Sequence, residues 1–229
     1  MAGAQVSQET ADEAARLTVA ILGGTGDQGR GLGLRLAMAG NRIIIGSRDA
    51  GRAADAAATI GDPPQVTGAA NEDAAREADL VIAAMPWAGH ADLLARLARA
   101  LEGKIVVDCV NPLGFDGQGA YSLPVPEGSA AQQAAAILGG STVVGAFHHV
   151  SAVVLLDPEI TALDLDVLVL GDDRPATDLV RALAERIPGV RGVYAGRLRN
   201  CGQVEALTAN LVAVNRRYKA HAGLRITDL

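Results

Sequence analysis

The segment Leu17-Thr-Val-Ala-Ile-Leu-Gly-Gly-Thr-Gly-Asp-Gln-Gly-Arg30 decides the fold of this chain. A run of β-forming residues, Val19 to Leu22, ends in glycines, and a helical apolar pattern follows them. Gly24, Gly26 and Gly29 have the spacing G-x-G-x-x-G between this predicted strand and helix, where backbone N–H groups at the helix N-terminus bind a pyrophosphate. Because glycine-rich turns are common, a merely structural turn is the alternative.

The composition of the 229 residues excludes several functional classes. The net charge of −6 and the pI near 5.2 argue against a dedicated nucleic-acid surface. No apolar run approaches the ~20 residues of a membrane span, and the acidic N-terminal stretch is unlike a secretory signal. Cys109 and Cys201 match neither a metal pair nor a disulfide framework, which suits a reducing compartment. We therefore expect a cytoplasmic protein whose partners are small molecules, not nucleic acid or membrane.

Predicted strands and helices alternate along most of the chain. This alternation predicts an α/β fold of the Rossmann type, with a doubly wound, mostly parallel sheet. We expect residues 1–16 to be a polar N-terminal extension, residues 17–157 to be the dinucleotide-binding domain, and residues 158–229 to be a small C-terminal α/β region. The Gly- and Pro-rich segment 114–126 is expected to be a loop that covers the site, and Asn71 to cap the following helix.

The end of the second predicted strand decides between NAD and NADP. An acidic residue near this point binds the ribose 2′-OH of NAD, but here the chain reads Gly46-Ser47-Arg48, with Arg52 one helical turn later. A hydroxyl and two guanidinium groups suit the 2′-phosphate of NADP, since planar donors bind phosphate oxygens bidentately. The alternative is a solvated turn with ordinary surface arginines.

Other strand ends carry further candidate residues. Pro86 and Trp87 follow one buried strand and Asn111 follows the next, so both lie where ligands bind in open α/β sheets. Packing under the loop is the alternative role for Trp87. His148 and His149 follow a later strand, and in an extended segment at most one of them points at the site. No metal site is predicted, because no carboxylates or thiols at ligand spacing accompany them.

The chain lacks a recognisable proton donor. It has no Tyr-x-x-x-Lys pair and no legible Ser-His-Asp or Cys-His arrangement. Reduction of a carbonyl needs a positioned acid, whereas hydride transfer between two redox cofactors needs only that the rings are positioned. The sequence thus favours a second redox cofactor. Asp27 places a carboxylate beside the expected pyrophosphate, so we expect its side chain to point away and cap the helix.

Taken together, these motifs resemble those of the NADPH:coenzyme F420 oxidoreductases, also called F420-dependent NADP reductases. The resemblance runs from about Thr18 to the C-terminus, and it is carried by Ala20-Ile-Leu-Gly-Gly-Thr-Gly-Asp-Gln-Gly29, Gly46-Ser-Arg48, Pro86-Trp87, Gly145-Ala-Phe-His148 and Gly171-Asp-Asp173. Two departures fall in the pocket for the second ring: His149-Val-Ser151 stands where family members have Thr-Ile-Pro, and Ala209-Asn210 replaces Pro-Leu.

The resemblance implies a role for each part of the site and a homodimeric assembly. It places Thr25, Gly26, Asp27 and Gln28 along the pyrophosphate, Ser47, Arg48 and Arg52 at the 2′-phosphate, Trp87, Asn111 and Ala152 along the nicotinamide, and His148 and Val150 near the deazaflavin, with the C-terminal region completing that pocket. No catalytic acid or base is required, and His148 is the nearest candidate for positioning a ring.

The predicted activity is therefore direct hydride transfer between NADP(H) and coenzyme F420. Two alternatives stay open. One is an NADPH-dependent reductase of a flavin or of a small carbonyl or imine, and the other is a non-catalytic NADP-binding sensor.

Overall fold

A computed structural model describes residues 6–62 and 64–229. The first five residues of the predicted N-terminal extension lie outside this range, and the rest of the extension contains a helix, α1 (Gln8–Arg16). Ser7 caps α1 by accepting a hydrogen bond from the Thr10 N–H. Asn41 then holds the end of α1, since its Nδ2 donates to the carbonyls of Ala14 and Leu17 at 2.8 and 3.1 Å.

Within the described residues, eight strands form one sheet and two form a hairpin. The sheet strands are β1 (Thr18–Leu22), β2 (Arg42–Ser47), β3 (Val66–Ala70), β4 (Leu80–Ala83), β5 (Ile105–Asp108), β8 (Thr142–Gly145), β9 (Leu165–Leu170) and β10 (Val190–Gly196). Their order is β10-β9-β8-β5-β4-β1-β2-β3, and every neighbouring pair is parallel except β8 and β9. The predicted mostly parallel, Rossmann-type sheet is confirmed.

Helices cover both faces of this sheet. They are α2 (Asp27–Met38), α3 (Ala50–Ala58), α4 (Asn71–Glu77), α5 (His90–Leu101), α6 (Ala130–Ile137), α7 (Ala152–Leu156), α8 (Arg174–Glu185) and α9 (Cys201–Tyr218). Because strand side chains alternate, Val19 and Ile21 of β1 join the core under α2 and α8, while Ala20 and Leu22 join the core under α4, α5 and α6. Burial on both faces explains why the strands are continuous apolar runs.

A buried arginine anchors the chain beside the carboxyl edge of the sheet. Arg35 of α2 is 2% exposed, and its guanidinium donates to the carbonyls of Val154, Leu155 and Asp157 at 2.6–2.8 Å. These carbonyls belong to the C-terminal end of α7 and to the residue after it. In so short a helix they have no partner within the helix itself. Arg35 thereby fixes α7, which begins next to the candidate site.

The segment 114–126 does not cover the site, contrary to expectation. It contributes to a hairpin of β6 (Leu113–Asp116) and β7 (Gly119–Ser122) that packs against α9. The Asp116 side chain accepts from the Gln118 and Gly119 N–H groups at 2.7 and 3.2 Å, and Gly119 has φ +127°. Asp and Gly at these positions close a tight turn between two short strands, so the composition reflects a hairpin and not an open loop.

The last two strands extend the same sheet. β9 runs antiparallel to β8, with Gly145 opposite Leu170, and β10 then pairs parallel to β9. Residues before and after position 157 contribute strands to this one sheet. The domain boundary expected at that position stays a prediction. No helix in the described ranges has the length and apolar character needed to cross a membrane.

Candidate functional site

Two adjoining cavities lie over the carboxyl ends of the parallel strands, where open α/β sheets bind their ligands. We call the first the arginine cavity; it measures about 730 Å³ and is lined by Gly23, Thr25, Gly26, Asp27, Gln28, Ser47, Arg48, Arg52, Asn71, Ala84, Met85, Pro86, Ala88, Gly89, Leu93 and Arg96.

The second, the histidine cavity, measures about 370 Å³ and is lined by Gln28, Ala84, Met85, Pro86, Trp87, Cys109, Val110, Asn111, His148, His149, Val150, Ser151, Ala152, Thr208, Leu211, Val212, Asn215 and Ala222. The two cavities share Gln28, Ala84, Met85 and Pro86. They therefore form one continuous depression along the sheet edge.

The structure distributes most of the predicted site residues between these two cavities. Those lining the arginine cavity are Thr25, Gly26, Asp27, Gln28, Ser47, Arg48, Arg52 and Pro86. Those lining the histidine cavity are Gln28, Pro86, Trp87, Asn111, His148, Val150 and Ala152. Gly24 and Gly29 line neither, because they serve the packing beneath the loop.

The glycines of the loop are required by close approaches of the backbone. A Cβ added at Gly29 would lie 2.5 Å from the Cα of Gly24, so only glycine lets α2 pack against the loop. Gly23 has φ +63°, and a Cβ there would lie 2.7 Å from the Cβ of Met85. Gly26 is the N-cap position of α2, and no side chain caps its first N–H groups. These N–H groups are available to an anion.

Asp27 does not cap α2, which corrects the expectation from the sequence. It is the first residue of the helix, one position beyond the N-cap, and its carboxylate accepts from Nη2 of Arg30 at 2.7 Å. This side chain is 71% exposed. The pairing with Arg30 compensates the negative charge that the loop carries beside the cavity.

Three arginines of the arginine cavity have no acidic partner among the described residues. Arg48 follows β2, Arg52 lies in the first turn of α3, and Arg96 lies on α5. All three side chains are exposed, and Ser47 lies buried below them at the end of β2. Unpaired guanidinium groups around a cavity constitute a site for an anion such as a phosphate.

The sequence analysis did not predict Arg96 as a site residue, although its helical spacing from residues near the start of α5 could have indicated it. Gly89, Leu93 and Arg96 have the spacing of one helical face and all line the arginine cavity.

The expected role of Asn71 is also corrected. Asn71 does not cap α4, because the N-cap residue is Ala70. Oδ1 of Asn71 instead accepts from the Gly23 N–H at 3.1 Å. Asn71 thus ties the start of α4 to the glycine loop.

Both His148 and His149 line the histidine cavity, but Nε2 of His149 accepts from the Leu168 N–H of β9 at 3.3 Å, so the expectation that at most one ring points at the site stays a prediction. That expectation assumed an extended segment, but Phe147 has φ +63° and the Val150 N–H approaches the Phe147 carbonyl at 3.4 Å. The chain therefore turns directly after β8. In a turn, successive side chains do not alternate between opposite faces.

Several buried polar atoms of this cavity have no partner in the described part of the chain. They are both ring nitrogens of His148, Nδ1 of His149 and Oδ1 of Asn111. The backbone around them is held firmly, since the His148 carbonyl accepts from Nδ2 of Asn111 at 2.7 Å and from Oγ1 of Thr208 at 3.1 Å. Buried polar atoms without a partner are rare in folded proteins, which marks these residues as candidates for a functional role.

The histidine cavity offers no evident proton donor. None of its lining residues, all of which the structure describes, is Asp, Glu, Lys, Arg or Tyr. Burial lowers the pKa of His148 and of His149 to about 4, so both rings are neutral near pH 7. Burial also raises the pKa of the Cys109 thiol. The site is thus suited to holding a ring more than to general acid catalysis.

Comparisons with known proteins establish the family of this chain. The sequence model of a family described as NADP oxidoreductase coenzyme F420-dependent matches residues 18–112. F420-dependent NADP reductases from Methanothermobacter marburgensis and Methanocaldococcus jannaschii are 41% and 40% identical to this chain. Each of these alignments covers 93% of this chain and 99% of the relative.

Solved structures extend the comparison to the fold. A protein from Arthrobacter sp. FB24, provisionally described as an F420-dependent NADP reductase, superposes with a TM-score of 0.79 at 28% identity, over 92% of this chain and 99% of that one. An imine reductase from Streptomyces aurantiacus superposes with a TM-score of 0.58 at 25% identity, over 87% of this chain and 62% of that one. Because the full-length relatives share about 40% identity across nearly the whole chain, the resemblance is confirmed: this chain belongs to the F420-dependent NADP reductase family.

Proposed function

We propose that this chain catalyses direct hydride transfer between NADP(H) and the deazaflavin coenzyme F420. The observation that carries this proposal is the pair of joined cavities, one with unpaired arginines and one with neutral, buried polar groups and no ionisable acid. Together they have room for a nucleotide that extends into a ring site. The family relatives, which are named for this reaction, support the same proposal.

The arginine cavity fits the adenosine half of NADP. Ser47, Arg48 and Arg52 would bind the 2′-phosphate, since a hydroxyl and two guanidinium groups without acidic partners among the described residues line this cavity at the end of β2 and just after it. The N–H groups at the start of α2 would bind the pyrophosphate, with Thr25 and Gln28 beside them. Arg96 adds a third cation to this half from a different helix.

The histidine cavity fits the nicotinamide and the second ring. Trp87, Asn111 and Ala152 would lie along the nicotinamide, while His148 and Val150 would approach the deazaflavin. When both cofactors are bound, the nicotinamide and deazaflavin exchange a hydride, and solvent supplies the accompanying proton. The residues of this chain would orient the rings to within about 3–3.5 Å and exclude water from between them.

The test is direct. Protein, NADPH and F420 are mixed, and the deazaflavin absorbance is followed with time. We expect NADPH-dependent bleaching that is much slower with NADH. Failure to bleach across a broad pH range would contradict the proposal, and equal rates with NADH and NADPH would contradict the assignment of the 2′-phosphate site.

A second candidate is the NADPH-dependent reduction of a flavin or of a small carbonyl or imine. The structural likeness to an imine reductase favours it, and the absence of an acid from the described histidine cavity opposes it. It would show as NADPH oxidation without F420 when such an acceptor is present. A non-catalytic sensor would bind NADPH tightly and turn over no acceptor.

A cytoplasmic homodimer is part of the proposal. Four large apolar side chains, Phe115, Tyr121, Val214 and Tyr218, are exposed on the β6–β7 hairpin and α9, two elements that pack together. An exposed apolar surface of this kind is typical of a subunit interface. Sedimentation of the wild type should give a dimer, and Tyr218→Glu combined with Phe115→Glu should give a monomer.

A further inference from the structure

A buried histidine outside both cavities connects two of the walls of the histidine cavity. His90, the first residue of α5, is 0% exposed and lines neither cavity. Its Nε2 lies 2.7 Å from Oδ2 of Asp108, and its Nδ1 lies 3.0 Å from Oε1 of Gln133. Both ring nitrogens therefore face oxygen atoms, an arrangement that satisfies an imidazolium completely.

One wall is reached through Asp108, the last residue of β5. Oδ1 of Asp108 accepts from the Val110 N–H at 2.9 Å, while Oδ2 faces His90. Val110 and Asn111 both line the histidine cavity, and Nδ2 of Asn111 holds the His148 carbonyl. The Asp108 carboxylate thus fixes the turn that carries this side of the cavity.

Another part of the lining is reached through Trp87. The centroids of the Trp87 and His90 rings lie 5.4 Å apart, with their planes tilted by 34°. A cation at this distance is attracted to an indole ring. Trp87 lines the histidine cavity and is the only tryptophan of the chain, so the position of its ring can be observed separately.

We propose that His90 is a positioning residue: through Trp87 and Asp108 it fixes the indole ring and the turn after β5, two parts of the lining that would hold the rings of the proposed reaction. The proposal rests on the proposed function only for its effect on turnover. Its structural part concerns the ring of Trp87 and the turn after β5, and this part is tested without F420.

Two variants separate the two contacts. His90→Gln keeps an amide donor toward Asp108 and removes the ring beside Trp87. His90→Phe keeps a ring beside Trp87 and leaves Oδ2 of Asp108 without its partner, while Oδ1 still accepts from the Val110 N–H. His221→Gln is the control, since it removes an exposed histidine that lines neither cavity. Melting temperatures identify any variant that fails to fold, and the remaining variant then carries the test.

We expect acrylamide quenching of Trp87 to increase about twofold in His90→Gln, because the indole loses the ring packed against it. In both variants kcat with NADPH and F420 should fall about 10-fold or more, since misplacing reacting groups by even 1 Å is costly. The affinity for 2′,5′-ADP, which occupies only the arginine cavity, should stay within about twofold of the wild-type value, because that cavity does not contact His90. His221→Gln should match the wild type in every assay.

A pH titration of Trp87 fluorescence tests the contact between His90 and Trp87 separately from the stability of the fold. The groups facing His90 are Asp108 from β5, Gln133 from α6, Glu205 from α9 and the indole of Trp87. Burial opposes protonation of His90, but its hydrogen bonds to Asp108 and Gln133 and the charges of Asp108 and Glu205 together raise its pKa. Because a protonated imidazole quenches a neighbouring indole, Trp87 emission should rise as the pH passes the pKa of His90.

This transition should be absent from His90→Gln and His90→Phe. Glu205 is the competing titrating group, because burial raises its pKa to about 7, and the transition should therefore persist in Glu205→Gln. The proposal is overturned if Trp87 quenching and its pH dependence are the same in the His90 variants as in the wild type. It is also overturned if the affinity for 2′,5′-ADP falls as much as turnover does, since the damage would then be global. If the wild type itself does not turn over NADPH and F420, the proposed function is contradicted, whereas the structural part of this proposal is still tested by the Trp87 measurements.

Discussion

The two cavities along the sheet edge are built in opposite ways. The arginine cavity takes half of its lining residues from the ends of β1 and β2 and the segments just after them, and its three cations are exposed and have no acidic partner among the described residues. The histidine cavity collects residues from the turns after β4, β5 and β8 and from α9, and its polar groups are buried and neutral. The arginine cavity is suited to binding a ligand through charge, and the histidine cavity is suited to binding a ligand through steric complementarity.

This difference predicts different sensitivities. Exposed charges are screened by salt, whereas buried groups respond to protonation and to small changes of volume. Perturbations of charge should therefore affect the affinity for the nucleotide, and perturbations of packing or pH should affect the ring half and the stability of the fold. Four experiments test this division.

The largest effect is expected from acid. The pKa of His148 and of His149 is lowered from 6.5 to about 4 in the folded chain. Their contribution to stability is complete above pH 6.5 and is lost as the pH falls toward 4, since the unfolded chain binds these protons first. At 1.36 kcal/mol per pKa unit, the loss is on the order of 3 kcal/mol per histidine. Urea unfolding at pH 7 and at pH 4.5 measures it.

The controls for this experiment lie in the same site. His148→Leu should flatten the pH dependence, because it removes one of the two titrating rings. His90 does not interfere, because its pKa is raised: its contribution is complete below pH 6.5 and is lost only as the pH rises through the folded value. Glu205 acts in the opposite direction, because burial raises its pKa to about 7 and the fold gains stability as this carboxyl is protonated between pH 7 and 4.5. The comparison is therefore made in Glu205→Gln, where a folded chain equally stable at both pH values would contradict the neutrality of the buried histidines.

The next effect concerns the arginine cavity. Arg48→Ala removes charge-assisted hydrogen bonds to the 2′-phosphate, each of which contributes about 1.5–3 kcal/mol, so the Kd for NADPH should rise about 10- to 100-fold. The Kd for NADH should barely change. Titrations at two salt concentrations should also show that the variant is less sensitive to salt than the wild type. An equal loss of affinity for NADH would place Arg48 elsewhere on the nucleotide.

A somewhat smaller effect is expected from overpacking the histidine half. A Cβ added at Gly145 would lie 2.5 Å from Sγ of Cys201 and 3.1 Å from Nε2 of His148. Gly145→Ala should therefore cost about 1–3 kcal/mol and displace the His148 ring. We expect a lower melting temperature and a lower kcat, with the Kd for 2′,5′-ADP unchanged. Weakened 2′,5′-ADP binding would show that the two cavities are mechanically coupled.

The smallest effect is expected from Arg96, which adds one exposed cation to the arginine cavity. Arg96→Ala should raise the Kd for 2′,5′-ADP by about 5- to 10-fold, at most ~1.4 kcal/mol, since solvent screens exposed charges. Arg99→Ala is the matched control on the same helix, because Arg99 lines neither cavity. Identical affinities for the two variants would remove Arg96 from the site.

Local sequence determined the fold and the arginine half. The alternation of strands and helices and the glycine loop dictated a mostly parallel sheet, because hydrophobic periodicity and turn chemistry act over a few neighbouring residues. Ser47, Arg48 and Arg52 were predictable for the same reason, since they directly follow a strand whose end is the ligand edge. Even the hairpin of β6 and β7 was signalled by its Asp and Gly residues, although they were interpreted as a loop.

Tertiary structure decided how the histidine half is assembled, although the sequence had indicated several of its residues. The turn at Phe147, after which both histidines contribute to the lining of one cavity, has a positive φ at a non-glycine residue, which no local pattern announces. The link from Trp87 through His90 and Asp108 to Val110 joins groups up to 23 residues apart in sequence, and Thr208 reaches His148 across 60 residues. Contacts of this kind follow from how helices pack on a sheet, because burial and long-range hydrogen bonds depend on the whole chain and not on the neighbours of a residue.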